Sequence, residues 1–241
     1  MSLNKIPLIL AFNYALKRSL TPPNPLPPDE AIIQKSSFRK WYARVFFKFF
    51  RRVERSVAFL EILSILVYNY PKHPLLQHPF LARMSSLLLS KIDAGAIQSS
   101  IIANLGAGLM ITGALIRVLT YRYLGRLFTF SLSIHRDHYL VTSGPYSIVR
   151  HPAYTGLLIA NSGWFLWHLS RGSFFMSGLG LERTLLGKAV VGLWGLSAMG
   201  GILYATLGML REEDDVIKKE FGKEWEEWAR RVPYMLIPGI Y

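Results

Sequence analysis

Apolar residues in this chain come in long blocks with few alternating runs, and that pattern predicts helices rather than strands. The clearest block is 96–120, AIQSSIIANLGAGLMITGALIRVLT, whose only charge is Arg117. It exceeds the roughly 20 residues a helix needs to cross a bilayer. Gly106, Gly108 and Gly113, with Ala107 and Ala114, give it a small-residue face against which another helix can close. Two further spans are predicted over about 153–169, with Trp164 and Trp167 as interface anchors, and about 185–209, again rich in glycine. A weaker one, about 57–70, lies within VERSVAFLEILSILVYNY (53–70). It contains Glu61, which needs a partner on another helix if it lies in lipid. IPLILAFNYAL (6–16) is too short to span, so an interfacial helix or a short tilted insertion is expected, as is a short interfacial helix over 81–93. The fold class that follows is all-α, a polytopic membrane helical bundle.

Charge placement then orients the bundle. The 241 residues are 51% hydrophobic, with mean hydropathy +0.26 and a formal net charge of +13. Such a balance suits a nucleic-acid surface or cytoplasmic loops facing anionic lipid. Lys35 to Arg55 interleave cations with Phe38, Trp41, Phe46, Phe47, Phe49 and Phe50, and long apolar runs follow, which favours an amphipathic membrane-surface segment and no nucleic acid. Segment 17–55 holds ten Lys/Arg, whereas loops 71–95 and 171–184 hold three and two. Four spans with both termini in the cytoplasm satisfy that asymmetry. The chain then divides into a basic, Pro-containing surface segment (1–56) and a membrane domain (57–241) ending in a cytoplasmic tail (210–241). This topology puts the loop His138–Pro152 and the tail Arg211–Tyr241 on one side, able to form one site. There is no cysteine, which excludes disulfides, thiolate metal sites and a thiol nucleophile.

The chemistry concentrates in HYLVTSGPYSIVRHPAYTG, 138–156. Gly144-Pro145 signals a turn, and Pro152 suits the first position of a helix. A helix start carries unpaired N–H groups and partial positive charge, so it is a ready anion site, flanked here by Arg150 and His151. In the tail, Val216, Ile217, Phe221, Trp225 and Trp228 form one apolar stripe, broken near Gly222, opposite a Glu/Lys-rich face. His135 and His138 have H-x-x-H spacing, but with no thiolates and no second ligand pair no metal is expected.

Taken in order, His138-x-Leu140-Val141, Gly144-Pro145-Tyr146, Arg150-His151-Pro152-x-Tyr154-x-Gly156, Glu212-Glu213 and Phe221-Gly222 resemble the isoprenylcysteine carboxyl methyltransferase family. The segment RYLGRLFTFSLSIHRDH (122–138) is similar to its fungal-type members, and the resemblance covers about 95–241. It implies a multi-pass enzyme of the endoplasmic reticulum membrane. Such an enzyme uses S-adenosylmethionine to methylate the C-terminal carboxylate of prenylated proteins, at a cytoplasmic pocket formed by the loop and the C-terminal amphipathic helix. The implied cofactor contacts are His138, Tyr139, Leu140, Val141, Tyr146, His151, Pro152, Ala153, Tyr154 and Glu213. In that reading the helix start at His151 and Pro152 holds the cofactor carboxylate. Glu213 or Glu212 accepts from its ammonium or ribose, and Tyr146, Tyr154, Leu140 and Val141 line the ring slot. Arg150 and Arg211 are the candidate catalytic residues; Arg150 is suited to a bidentate pair with the acceptor carboxylate. One departure concerns an arginine that the family carries shortly before its glutamate pair. Gly208 and Met209 stand there, and Arg211 is the nearest arginine. The same architecture also resembles phospholipid N-methyltransferases, and a non-catalytic scaffold would share it.

Overall fold

The computed structural model of the protein describes residues 2–25, 47–129, 133 and 138–240. Most of the basic aromatic stretch 35–55, the end of the Pro-rich linker and His135 lie outside the described residues. Among the described residues the regular elements are all helical: α1 (Lys5–Ser19), α2 (Phe47–Asn69), α3 (Pro79–Lys91), α4 (Ile101–Leu124), α5 (Pro152–Leu169), α6 (Leu185–Phe221) and α7 (Lys223–Arg231). Every predicted span falls on a helix. Two segments, Ile101–Leu127 and Leu185–Phe221, are long and apolar enough to cross a membrane. The other two predicted spans fall on helices diluted by polar residues, Glu54 and Glu61 in α2 and Asn161 and His168 in α5. The tail differs from expectation in one respect: α6 does not stop near residue 209 but runs on through REEDDVIKKEF to Phe221. The break then comes at Gly222, whose φ of +51° only glycine adopts without strain.

The residues divide into two compact units. The first comprises 1–15, 52–111 and 161–199. Here α1 is no surface helix: Ile9 and Phe12 are buried, and the Phe12 ring packs edge-on against Trp167 at 4.9 Å. The Lys5 ammonium lies 2.6 Å from Glu61, donates to the Gly172 carbonyl at 3.2 Å and sits over the Trp167 ring. Glu61 thus has the partner it requires, at the head of a segment expected as an interfacial helix or a short tilted insertion. A second buried carboxylate, Glu54, accepts from Trp164 Nε1 at 2.5 Å and lies 3.3 Å from His168 Nε2. Helices α4 and α5 meet at Gly106 and Gly163. A Cβ built on Gly106 would stand 2.7 Å from the Gly163 carbonyl oxygen.

The second unit comprises 16–51, 112–160 and 200–241 and contains the loop and tail that the sequence singled out. Its own α4–α5 contact is between Gly113 and Gly156. A Cβ on Gly156 would lie 2.6 Å from the Gly113 carbonyl oxygen and 2.9 Å from Arg117 Cγ. This approach brings the buried Arg117 onto the start of α5, where its Nη1 donates to the Ala153 carbonyl at 2.9 Å and its Nε to the Ser19 carbonyl at 3.2 Å. Gly113 and Gly106 therefore serve as the sequence suggests, whereas Gly108 faces open space. Overpacking a close helix contact typically costs about 1–3 kcal/mol. Gly156→Ala is expected to lower the thermal midpoint in detergent by that equivalent, while Gly108→Ala leaves it unchanged or slightly raised, since alanine is the better helix former.

Candidate functional site

The site is built where three segments of the second unit converge: 138–155, the last three turns of α6, and the irregular end of the chain after α7. Gly144, at φ +60°, lets the loop turn while its backbone lies against the Tyr123 ring, leaving no room for a side chain. Pro145 and Tyr146 follow in a short 3-10 turn, and Tyr146 is buried with Val141, Leu127, Trp228 and Val232. Leu140 and Trp225 pack on this cluster, and Trp228 Nε1 donates to the Tyr146 carbonyl at 3.1 Å. The amphipathic stripe read from the tail is thus used: α7 docks on the loop through its tryptophans, and Phe221 lies against His138 with ring centroids 5.7 Å apart.

The chain end binds differently. Five consecutive carbonyls, Val232 to Leu236, all accept from residues 150–155. Arg150 Nη1 donates to Val232 at 3.1 Å and to Pro233 at 2.7 Å. The Arg150 and His151 amides donate to Tyr234 and Met235, each at 2.9 Å, and Thr155 Oγ1 donates to Leu236 at 2.7 Å. From the other side, Asp214 on α6 takes both neighbours at once. Its Oδ2 lies 3.2 Å from Arg150 Nε and Nη2, and its Oδ1 2.8 Å from His151 Nε2. The His151 ring is buried, and its Nδ1 faces Glu213 at 3.9 Å.

These contacts revise two expectations. The start of α5 has fewer amides to offer an anion than the sequence suggests: those of residues 150 and 151 donate to the chain end, and those of Tyr154 and Thr155 turn back to the His151 carbonyl. Nor is Arg150 a free guanidinium: its Nε donates to Asp214, its Nη1 to Val232 and Pro233, and its Nη2 lies 3.2 Å from Asp214 Oδ2. Arg211 is exposed and, two residues before Glu213, lies about 160° around the helix from it. The structure does not bring Arg211 to the Glu213 side of α6.

The remaining named residues lie as follows. Glu213 is partly exposed, with the Tyr154 hydroxyl in hydrogen-bonding reach. Burial, with the Glu213 charge as a second cause, pushes the Tyr146 hydroxyl far above the usual phenol range, so it stays neutral. Pro152 is buried, Ala153 partly so, Val141 is buried and Tyr139 is exposed. Sequence reasoning missed three contributors. Asp214 stood unremarked in the run Glu212–Asp215, although its buried face is shared by Thr206 and Leu210 at helical spacing. Arg117 was read as one charge in a span, yet its field reaches Tyr146 and Tyr154. The carbonyls of 232–236 carry no side-chain signal at all.

The model of the phospholipid methyltransferase family matches 101–186. The chain is 29% identical over 170 residues to protein-S-isoprenylcysteine O-methyltransferase B of Arabidopsis thaliana, covering 62% of this chain and 76% of that protein. It is 27% identical over 138 residues to the protein-S-isoprenylcysteine O-methyltransferase of Dictyostelium discoideum, covering 56% of this chain and 49% of that one. Over these residues the chain is similar to protein-S-isoprenylcysteine O-methyltransferases. A Delta(14)-sterol reductase of Mus musculus is 30% identical over 106 residues, 42% of this chain and 20% of that protein. The chain thus spans three quarters of the Arabidopsis relative and about half of the Dictyostelium one.

Removing one partner of a buried ion pair typically costs about 3–5 kcal/mol, because the other charge is left uncompensated. Asp214→Ala is therefore expected to destabilise the fold by an amount of that order, read as a drop in thermal midpoint. Glu213→Gln, one residue away and half open to solvent, should leave the midpoint near wild type.

Proposed function

We propose that this protein is a membrane-embedded methyltransferase that uses S-adenosylmethionine to methylate the C-terminal carboxylate of a prenylated cysteine. The observation that carries the proposal is the meeting of Arg150-His151 with Glu213-Asp214, segments of a relative of prenylcysteine methyltransferases, around a half-open carboxylate. When bound, S-adenosylmethionine supplies an electrophilic methyl group. The residues present suit it. Glu213 can accept from an ammonium or a ribose hydroxyl. Trp225 Nε1 is a buried donor with no partner among the described residues, beside the Arg150 guanidinium. His138 and Phe221 offer flat faces at the slot.

An acceptor carboxylate is already ionised at neutral pH, so no general base is required. The protein's task is to align oxygen and methyl group and to keep water from solvating the nucleophile. Trp228, Tyr146 and Val141 exclude water on one side. In this reading Arg150 is a positioning residue that fixes the loop, and Arg117 is the buried cation whose field draws a carboxylate toward Tyr146 and Tyr154. The predicted spans, both termini cytoplasmic, place this pocket on the cytoplasmic face, in keeping with an endoplasmic reticulum enzyme acting on prenylated proteins.

A second reading, methylation of a phospholipid amine, has its own support in the family model that matches 101–186. An amine acceptor would use Glu213 directly as its counter-charge. Incubation with methyl-labelled S-adenosylmethionine separates the two: label in a farnesylcysteine analogue supports the first, and label only in phosphatidylethanolamine overturns it. Loss of one charged hydrogen bond to the cofactor is worth about 1.5–3 kcal/mol. Glu213→Gln is thus expected to weaken S-adenosylhomocysteine binding about 10- to 100-fold by calorimetry; an unchanged affinity would remove Glu213 from the pocket.

A further inference from the structure

The ends of three helices in the second unit are stapled together by side chain to main chain contacts. Arg51, in the second turn of α2, donates to Thr21 Oγ1 at 2.6 Å and to the Leu20 carbonyl at 3.4 Å. Asn24 Nδ2 donates to the carbonyls of Gly125 and Phe128 at 2.8 and 2.9 Å. Residues 19–24, leaving α1, therefore tie the start of α2 to the end of α4. The rim so formed is cationic. Lys17 and Arg18 end α1, Lys48 begins α2, Arg122 lies in the last turn of α4 and Arg126 in the 3-10 turn that follows it, all five exposed. Among the described residues of this rim, 16–25, 47–51 and 112–129, there is no Asp or Glu.

One face of α4 shows what such a rim meets. Leu115 and Leu119 are exposed at 56% and 42%, and Arg122 continues the same stripe three residues on. The outward face thus changes from aliphatic to cationic within one turn, roughly 5 Å of rise. Phe49 and Tyr123, exposed beside Lys48 and Arg122, are of the aromatic type that sits at headgroup depth. A soluble acidic partner would need the cations but not the aliphatic continuation above them. A phospholipid needs both, its acyl chain along Leu115 and Leu119 and its phosphate at the guanidinium.

We propose that this rim is a binding site for anionic phospholipid, with Arg122, Lys17 and Arg18 as its main headgroup contacts. The proposal rests on the reading that the apolar helices lie in a bilayer, but not on the methyl transfer. A juxtamembrane cation contributes an amount equivalent to about fivefold in affinity for an anionic surface, and salt weakens it. The test titrates detergent-solubilised full-length protein with phosphatidylserine or phosphatidylcholine and follows the thermal midpoint. Phosphatidylserine should raise it and phosphatidylcholine should not. Arg122→Glu, and separately Lys17→Glu with Arg18→Glu, should remove most of the rise, while Arg122→Lys keeps it. The shift induced by S-adenosylhomocysteine in the same variants reports on the pocket, so failure of the lipid site and failure of the cofactor reading are distinguishable. Equal shifts from both lipids, or an unchanged phosphatidylserine shift in both charge-reversed variants, would overturn the proposal. So would glycerophosphoserine reproducing the full effect, since that marks a site for a free phosphate.

Discussion

One carboxylate holds two neighbouring basic side chains, and the second unit depends on that grip. Asp214 presents one oxygen to Arg150 and the other to His151, both in a region with little water. Ion pairs in such places are favourable only when geometry and hydrogen bonding are nearly complete. Completeness here is supplied by the chain end: the Val232 and Pro233 carbonyls take the Arg150 donors that Asp214 does not. The guanidinium is consequently a junction of loop, long helix and terminus. Removing any one of the three would leave the other two with unpaired buried polar atoms.

That junction forms only because two backbones are delivered to it. α6 remains helical from Leu185 to Phe221, and Asp214 is placed by the burial of Leu210 and Thr206 before it. The start of α5 is placed by the Gly113–Gly156 approach, which also presses Arg117 against the Ala153 carbonyl. Small residues thus act at a distance from the polar site. They set where Pro152 stands, and hence where Arg150 and His151 emerge.

Much of this was legible in the sequence, for identifiable reasons. Apolar blocks with small-residue faces announce helices because their periodicity is a property of one segment. The break at Gly222 and the turn at Gly144 were readable because only glycine tolerates those angles. The convergence of loop and tail followed from charge asymmetry, which is global but additive. The role of Arg150 was less accessible. Its spacing suited a substrate clamp, and only the tertiary structure shows its donors taken. The five carbonyls that hold residues 150–155 belong to VPYML, where nothing in the side chains marks a main-chain ladder. Lys5 was hidden similarly, because a cation at the head of a short apolar helix looks like a surface residue until Glu61 is found beside it.

Glu213 and Asp214 show how one helix turn can separate support from chemistry. Adjacent helical residues point about 100° apart, so two neighbouring acids cannot share an environment. Asp214 faces inward, where Arg150 and His151 occupy its two oxygens, and it has little left to offer a ligand. Glu213 faces a half-open space lined by His151 Nδ1 and the Tyr154 hydroxyl, and keeps an oxygen for an incoming donor. Exchanging the two roles would require rotating α6 and breaking the burial of Leu210. The pairing of a spent acid with an unspent one is therefore fixed by the helix itself. The same packing that stabilises the unit leaves one carboxylate poised where the proposed cofactor would need it.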